Sequence, residues 1–377
     1  EEVEQEDRTA AQAQRPKLSA PARHHLALRK RILDEHPELR SLSGPQPLQL
    51  LPVLALLVAR WGLAYLLRDA SLLTILATSC TVGCWLVHAL GTYVHEQGHR
   101  LIVQREPWAT VVDVVIEMGI TSFGTGTAYQ YRHVNFHHRY LGDYEWDSEM
   151  RDLCAHVSII RAEDVAWLSS RLLQLLEGGL ALCTPLGGLV AQDVAVALRT
   201  RLLAPGVHTA DSGRTARFAL PPHLQTKKQA MLGVSVLCHA VAWAVWGWRA
   251  ALVSLCSVGC KSSRFDVVGW GQDLAEHNPD EEHPTNSTYT LWNWLFCNTG
   301  YHNEHHTFPT VPGCYLPRLT RAAPQTFKSC ENTTSYPALW ARWALGGFRS
   351  FRLNEYQVHL AASGRCDKAK DKGAKAS

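Results

Sequence analysis

The chain has 377 residues, of which 46% are hydrophobic and 19% are charged. This composition excludes a disordered, collagen-like or coiled-coil chain, and a formal net charge of +3 is too small to indicate nucleic acid as the main partner. The mean hydropathy of −0.13 argues against a mostly membrane-buried chain. It permits a few spans, since four spans of about 20 residues would fill only about a fifth of the chain.

The amino-terminal region begins with a polar segment and continues with a helical pattern. Residues 1–23 are rich in Ala, Gln and Glu, which predicts disorder. Residues 24–40 (HHLALRKRILDEHPELR) predict a short basic amphipathic helix, which would either lie on a membrane surface or be an ordinary solvated helix.

Four apolar stretches predict membrane spans that form two hairpins. The clearest, 71–94, contains no Asp, Glu, Lys or Arg over 24 positions. The stretch 47–67 carries Arg60, which needs a partner or an off-centre position because a central Arg opposes insertion. Residues 229–248 are uncharged, and the shorter stretch 250–268 is predicted as their return leg.

Two hairpins leave both termini on one side of the membrane. The basic cluster at 29–31 and the Lys-rich tail at 368–375 indicate that this side is the cytosol. Between the hairpins, 171–198 favours an interfacial or buried helix and 199–228 a basic loop. Residues 24–330 thus form one membrane-embedded unit, and 331–377 form a carboxyl-terminal cytosolic segment.

Three histidine motifs hold eight of the nineteen histidines. On a helix, residues three or four apart share a face, so each motif can direct its imidazoles at one metal ion. Chance predicts only about 0.05 such triples in a chain of this length and histidine content. Eight imidazoles are too many for one zinc ion and suit two metal ions with about four ligands each. The motifs are HEQGH (His95, His99), HVNFHH (His133, His137, His138) and HNEHH (His302, His305, His306).

The motifs follow the predicted spans at points that should all face the cytosol. The sequence therefore predicts an all-α integral membrane protein with about four transmembrane helices in two hairpins and a cytosolic helical cap that holds a histidine-box di-metal site. A metal centre there can act on a lipid chain that leaves the bilayer only partly. Isolated histidines in the apolar stretches, such as His88 and His239, are interpreted as structural.

The segments HEQGH, HHRYLGD and GYHNEHHTFPTVPG resemble those of the membrane fatty-acid desaturase and hydroxylase superfamily. More narrowly, they are similar to the sphingolipid Δ4-desaturases, or dihydroceramide desaturases. The segment RKRILDEHPELRSL also looks like the entry segment of that subfamily. The resemblance extends from about residue 24 to about residue 320, so 24–330 is expected to be a membrane desaturase domain.

This resemblance implies a non-haem di-iron centre that uses O₂ and electrons delivered from NAD(P)H by cytochrome b5 and its reductase. The implied substrate is the sphingoid chain of dihydroceramide, converted to ceramide by a Δ4 double bond, in the endoplasmic reticulum membrane. The ligands carried over onto matching positions are His95, His99, His137, His138, His302, His305 and His306.

Two positions depart from the family pattern. The second motif usually reads HxxHH, whereas here Val134 stands at the first position and His133 lies one residue earlier; His133 is still expected to bind with altered geometry. A family segment GHxxxEH reads GQDLAEH here, so that Gln272 replaces its first histidine. His277 is the candidate ninth ligand, and His283 is a weaker one.

Carboxylates adjoin the histidine motifs. Glu96, Glu276 and Glu304 could each accept an imidazole N–H, or could be solvated carboxylates of helix faces. Asp143 and Asp147 could do the same or bind a polar headgroup. No side chain has the reactivity to remove hydrogen from unactivated CH₂ groups, so no catalytic residue is expected beyond the metal centre.

Other functions remain open from the sequence. Within the superfamily, a sphingolipid C4-hydroxylase or another fatty-acyl desaturase would need the same motifs. HEQGH also fits the HExxH pattern of zinc metallopeptidases, although such a site would leave the six other motif histidines unexplained. A non-enzymatic metal transporter would hold its ion near the bilayer midplane, whereas these motifs flank the spans.

Overall fold

The structure is a computed structural model that describes residues 17–143, 146–149, 218–262, 266–277 and 285–345. Within these ranges the chain forms helices and no β-strand. The predicted helix at 171–198, the Lys-rich tail and His283 lie outside the described residues.

The predicted amino-terminal helix is present as α1 (Ala20–Glu35), followed by a 3₁₀ helix at Pro37–Leu42. Ser19 caps α1 by accepting a hydrogen bond from the backbone N–H of Ala22. Helix α1 therefore begins at Ala20, within the segment 1–23. The buried face of α1 includes Leu28 and Ile32, which belong to one apolar cluster with Phe308 and Val311. This helix thus packs on the segment that follows the third histidine motif.

Three segments of the described chain are long and apolar enough to cross a membrane. The first is Pro47–Leu66, which contains α2 (Leu50–Leu66). The second is α3 (Leu72–Gly98), and the third is a later helix at Pro222–Trp246. They coincide with the predicted spans 47–67, 71–94 and 229–248. The last one begins earlier than predicted, because Pro222 occupies the first helical position and fixes a suitable φ there.

Between the second and third spans lie α4 (Trp108–Ile120) and α5 (Thr125–Arg132), which pack against α3. The link between them requires Gly124, whose φ is +80°. A Cβ at this position would lie 2.4 Å from the backbone oxygen of Lys228. The glycine therefore allows the link to approach α6 (Pro222–Trp246) closely.

In the part of the chain that the structure describes, no candidate span covers the stretch 250–268, which was predicted as the fourth span. The residues instead form α7 (Trp248–Ser262), about 22 Å long at 1.5 Å per residue, and α8 (Val267–Glu276). Small side chains such as Ala250, Ser254 and Cys260 are buried, and α7 packs on the three long helices. The apolar character of this stretch thus reflects burial in protein.

Arg60, which is buried, has polar partners on neighbouring helices through one of its guanidinium nitrogens. Its guanidinium donates to the hydroxyl groups of Thr121 and Ser254, each at 2.8 Å. His239 contacts the same Ser254 hydroxyl at 2.9 Å and the backbone oxygen of Ser235 at 2.8 Å. His239 is therefore structural, as predicted, and this polar network ties the spans together.

The remaining α-helices of the described residues lie in the carboxyl-terminal part of the chain, and one of them contains the third histidine motif. They are α9 (Trp292–Leu295), α10 (His302–Thr307), α11 (Leu316–Ala322), α12 (Pro324–Phe327) and α13 (Tyr336–Ala344). Helices α8 and α13 pack together, and a Cβ at Gly271 would lie 2.1 Å from the backbone oxygen of Tyr336. Their apolar cluster includes Leu274, Phe296 and Leu339 and rests on Ala89 of α3.

Candidate metal centre

The three histidine motifs and His277 converge at the carboxyl-terminal end of α3. His95 lies in the last turn of α3, and His99 follows its end. The second motif continues α5, the third forms α10, and His277 follows α8. All nine predicted ligand histidines are brought together, and they form two groups.

The extra residue in the second motif is taken up by the backbone. Residues His133–His137 form a π-helical turn, in which the N–H of His138 bonds to the carbonyl of His133. A π-turn contains one more residue than an α-turn, so the five-residue separation still places both side chains on one face. The Nε2 atoms of His133 and His138 are 3.0 Å apart.

The larger group contains five histidines, and one ligand atom of each lies within 4.8 Å of those of the others. Besides the contact between His133 and His138, the Nε2 atoms of His138 and His305 are 3.0 Å apart. The five-histidine group is His95, His99, His133, His138 and His305.

The smaller group contains four histidines under the same distance limit. The Nε2 atoms of His137 and His306 are 3.2 Å apart, and those of His277 and His302 are 3.1 Å apart. The four-histidine group is His137, His277, His302 and His306, and all four side chains are buried.

These nitrogen separations fit two metal ions. Two nitrogen ligands at about 2.1 Å from an ion and 90–110° apart are separated by roughly 3.0–3.4 Å. The buried Nε2 of His99 has no hydrogen-bond partner within the described residues, as expected of an atom reserved for a metal ion. An all-imidazole donor set suits iron or zinc.

Burial keeps most of these imidazoles neutral. Desolvation, and then the neighbouring imidazoles, lower the pKa of His99, His138 and His305 well below the usual value. The same causes act on His302 and His306. A neutral imidazole keeps the lone pair that binds a metal ion.

Two carboxylates hold histidines of the second motif. Asp147 Oδ1 lies 2.9 Å from Nδ1 of His137, and Glu149 Oε1 lies 2.8 Å from Nδ1 of His133. Burial alone would lower the pKa of His137, but Asp147 and Glu149 outweigh it and raise this pKa to about 9. Each carboxylate can accept the Nδ1 proton and direct Nε2 into the site.

The acids proposed from the sequence take different positions. Glu276 lies 3.6 Å from Nδ1 of His302. Glu96 lies 3.9 Å from Nδ1 of His95, but its carboxylate accepts a hydrogen bond from the backbone of Gly313. Glu304 accepts hydrogen bonds only from the hydroxyl groups of Ser287, Tyr289 and Thr320 among the described residues, and so it does not orient an imidazole there.

Three further residues lie at or beside the site in positions that the sequence did not predict. Glu149 was missed altogether, since it lies sixteen residues after its partner, beyond a turn. His25 of α1 contacts the Thr307 and Thr285 hydroxyls at 2.9 and 3.1 Å, beside the third motif. Gln272 is in neither metal group and contacts His88, at 3.1 Å, and Glu276, at 2.7 Å.

A cavity of about 440 Å³ leads from the histidines along α3. Its apolar wall includes Val87, Ile120 and Phe123, and its polar lining includes Lys261 and Asp273. The volume lies within the range of about 300–1,000 Å³ that is typical of small-molecule sites. His95, His133, His302 and His305 line its inner end.

Known proteins resemble this chain over most of its length. The family model described as fatty acid desaturase matches residues 70–336. A sphingolipid delta(4)-desaturase DES1-like protein of Oryza sativa subsp. japonica is 26% identical over 83% of each chain. The sphingolipid delta(4)-desaturase/C4-monooxygenase DES2 of Rattus norvegicus is 27% identical over 84% of this chain and 87% of its own. No solved structure shows a significant match.

Proposed function

We propose a reaction for this chain on the premise that it belongs to the fatty acid desaturase family and is, accordingly, an oxidoreductase that desaturates lipid chains. The proposed reaction is the O₂-dependent introduction of a Δ4 double bond into the sphingoid chain of a dihydroceramide-like lipid. The observation that carries it is the pair of imidazole groups at the inner end of a cavity along a candidate span. The names of the curated relatives support the sphingolipid substrate.

The nine histidines of the two groups are proposed to hold two iron ions. When bound, the iron pair would supply, with O₂ and electrons delivered from NAD(P)H through cytochrome b5 and its reductase, the oxidising power to remove hydrogen from unactivated CH₂ groups. Asp147 and Glu149 would hold protons on Nδ1 of His137 and His133, and Glu276 would act similarly on His302.

The cavity would position the lipid chain and exclude water. Val87, Ile120 and Phe123 offer apolar contact to methylene groups, while the polar lining near Lys261 and Asp273 suits the hydroxyl and amide groups of a sphingolipid. Positioning decides which carbon meets the oxidant, so the protein determines regiochemistry by holding the chain.

A sphingolipid C4-hydroxylase is the second candidate. It is favoured by one specific observation, since the DES2 relatives are named both desaturase and C4-monooxygenase. The zinc-peptidase alternative would use His95 and His99 with Glu96 as the base, but the Glu96 carboxylate bonds to Gly313 and three other histidines share that group. A transporter would have to hold its ion near mid-span, away from these groups.

The proposed location is the endoplasmic reticulum membrane, with both termini in the cytosol. Helix α6 leads away from the site. Lys228, in its early turns, lies against Gly124, which directly precedes the helix that continues into the second motif, and the other end of α6 is at Trp246. The chain must then return, because His277 belongs to the four-histidine group. We propose that α7 and α8 together make this return as a short fourth crossing buried in protein.

The deciding experiment is lipid mass spectrometry after expression in yeast that lacks its own sphingolipid C4-hydroxylase. We expect a Δ4-unsaturated sphingoid base to appear. A C4-hydroxylated base instead would favour the second candidate, and the absence of both products would refute both candidates. His305→Ala should abolish the product because His305 belongs to the five-histidine group. The control His24→Ala, at an exposed position of α1, should retain it at a similar protein level.

A further inference from the structure

The segment that contains α9 presents two large apolar side chains outward. Leu291 is 94% exposed and Trp294 is 89% exposed, the two highest values among large apolar side chains of the described residues. Their neighbours Trp292, Leu295 and Phe296 pack inward against the α8–α13 cluster. Burial of such side chains in an apolar environment would be favourable.

The inward contacts of this segment fix its depth. The ring of Trp292 lies 5.3 Å from that of Trp85, and the ring of Phe296 lies 4.5 Å from that of His88. Trp85 precedes His95 by ten helical residues, which corresponds to about 15 Å along α3. The same cluster contacts Leu56, in the middle of the first candidate span. The segment therefore lies well below the level of the histidines, beside the middle of two spans.

The composition and hydrogen bonds of the segment suit this depth. Residues 285–303 contain no Asp, Glu, Lys or Arg over 19 positions. Several backbone groups are paired locally: Phe296 N–H donates to Trp292 O, Trp294 N–H donates to Leu291 O, and the Asn293 side chain donates to Thr288 O. Irregular backbone is tolerated within a bilayer only when such groups are paired.

We propose that residues Leu291–Phe296 form a re-entrant segment whose outward side chains insert among the acyl chains of the bilayer. Helix α3, a candidate span, likewise exposes large apolar side chains, among them Leu73, Leu76 and Val82. This inference concerns the membrane boundary of the protein and does not depend on the proposed reaction.

The test compares cysteines placed on this surface with one placed on α12, which the proposed topology puts on the cytosolic side. Leu291→Cys, Trp294→Cys and the control Gln325→Cys, which is exposed on α12, are treated in native membranes with a membrane-impermeant maleimide. Peptide mass spectrometry reads each site separately from the native cysteines. We expect modification at 291 and 294 to be at least about tenfold slower than at 325, because a thiol in hydrocarbon neither ionises nor meets a polar reagent. Similar rates at all three sites would overturn the proposal.

A second measurement separates lipid from a protein that covers the same surface. Purified protein and its Trp294→Tyr variant are placed in nanodiscs of brominated phosphatidylcholine, and the difference between their emission spectra reports Trp294. We expect this difference signal to be quenched by the brominated lipid and retained in unbrominated lipid. Protection from maleimide without quenching would identify a protein cover and would contradict lipid insertion.

Discussion

Individual histidines in this chain differ in what their ring nitrogens face. In the two metal groups, nitrogen atoms approach one another at 3.0–3.2 Å, whereas His239 contacts Ser235 and Ser254. The motif spacing predicted eight of the nine histidines in the two groups, and the ninth, His277, was predicted from the family resemblance. Their division between two groups, with His137 and His138 in different ones, was not predictable, because it depends on how four separate segments meet.

Carboxylates were harder to identify than histidines. The proximity of Glu304 to a motif suggested a contact with imidazole, but its side chain points to three hydroxyl groups. Asp147 and Glu149 reach their histidines from ten and sixteen residues away. Asp147 was one of the candidate acids from the sequence, whereas Glu149 was not, because the intervening turn decides which carboxylate faces the site.

Neutral substitutions can distinguish a buried acid that contacts an imidazole from one that contacts only hydroxyl groups. Asp147→Asn should weaken iron binding about 10- to 100-fold, because the amide no longer holds the Nδ1 proton of His137 by a charged hydrogen bond. Glu304→Gln should keep iron affinity within about twofold, since its oxygen can still accept from hydroxyl groups. Iron titration of the purified variants measures both, and equal losses would contradict the assignment of Asp147.

At the scale of helices, the π-turn at His133–His137 explains how the second motif tolerates an added residue. The sequence predicted altered geometry for His133 but not the device that compensates for it. Periodicity fixes which residues share a face only for a uniform helix, and a π-turn changes the period locally. Helix α7 shows a related limit, since hydropathy does not distinguish contact with lipid from contact with protein.

Deletion of Val134 tests this interpretation of the π-turn. Removal of one residue should convert the turn to α-helix and leave the flanking register unchanged, so iron content should stay within about twofold. Deletion of Ala128 in the regular helix α5 should instead rotate the downstream motif by about 100° and lower iron content at least about tenfold. Metal analysis of both purified proteins decides, and a loss in both would show that the extra residue is required.

At the scale of the whole molecule, the two histidine groups connect segments that are far apart in the chain. The five-histidine group alone joins the end of α3, the second motif and α10. Ions bound there would therefore act as crosslinks between the first candidate hairpin and the carboxyl-terminal helices. Ligands that bind only the folded state stabilise it by mass action.

Removal of iron should accordingly lower thermal stability. At about 1,000 times its dissociation constant, a bound ion stabilises the folded state by about 4 kcal/mol, so chelation should lower the unfolding midpoint by several degrees. Thermal unfolding in detergent, before and after chelation, measures the change. Fe²⁺ should restore the midpoint and Mg²⁺ should not, because imidazole is a poor ligand for Mg²⁺. A midpoint unchanged by chelation would contradict a crosslinking role.

The packing of α1 on the third motif also has a consequence for biosynthesis. The contact between His25 and Thr307 joins residues 282 positions apart, and Ser19 bonds to the backbone of Leu141. While the chain is on the ribosome, the amino-terminal helix is made long before the surface that it covers. The site therefore closes only after residue 307 has emerged, so a nascent chain presents its first two histidine motifs in an open, incomplete form. Closure of this very long loop is therefore a late event in assembly.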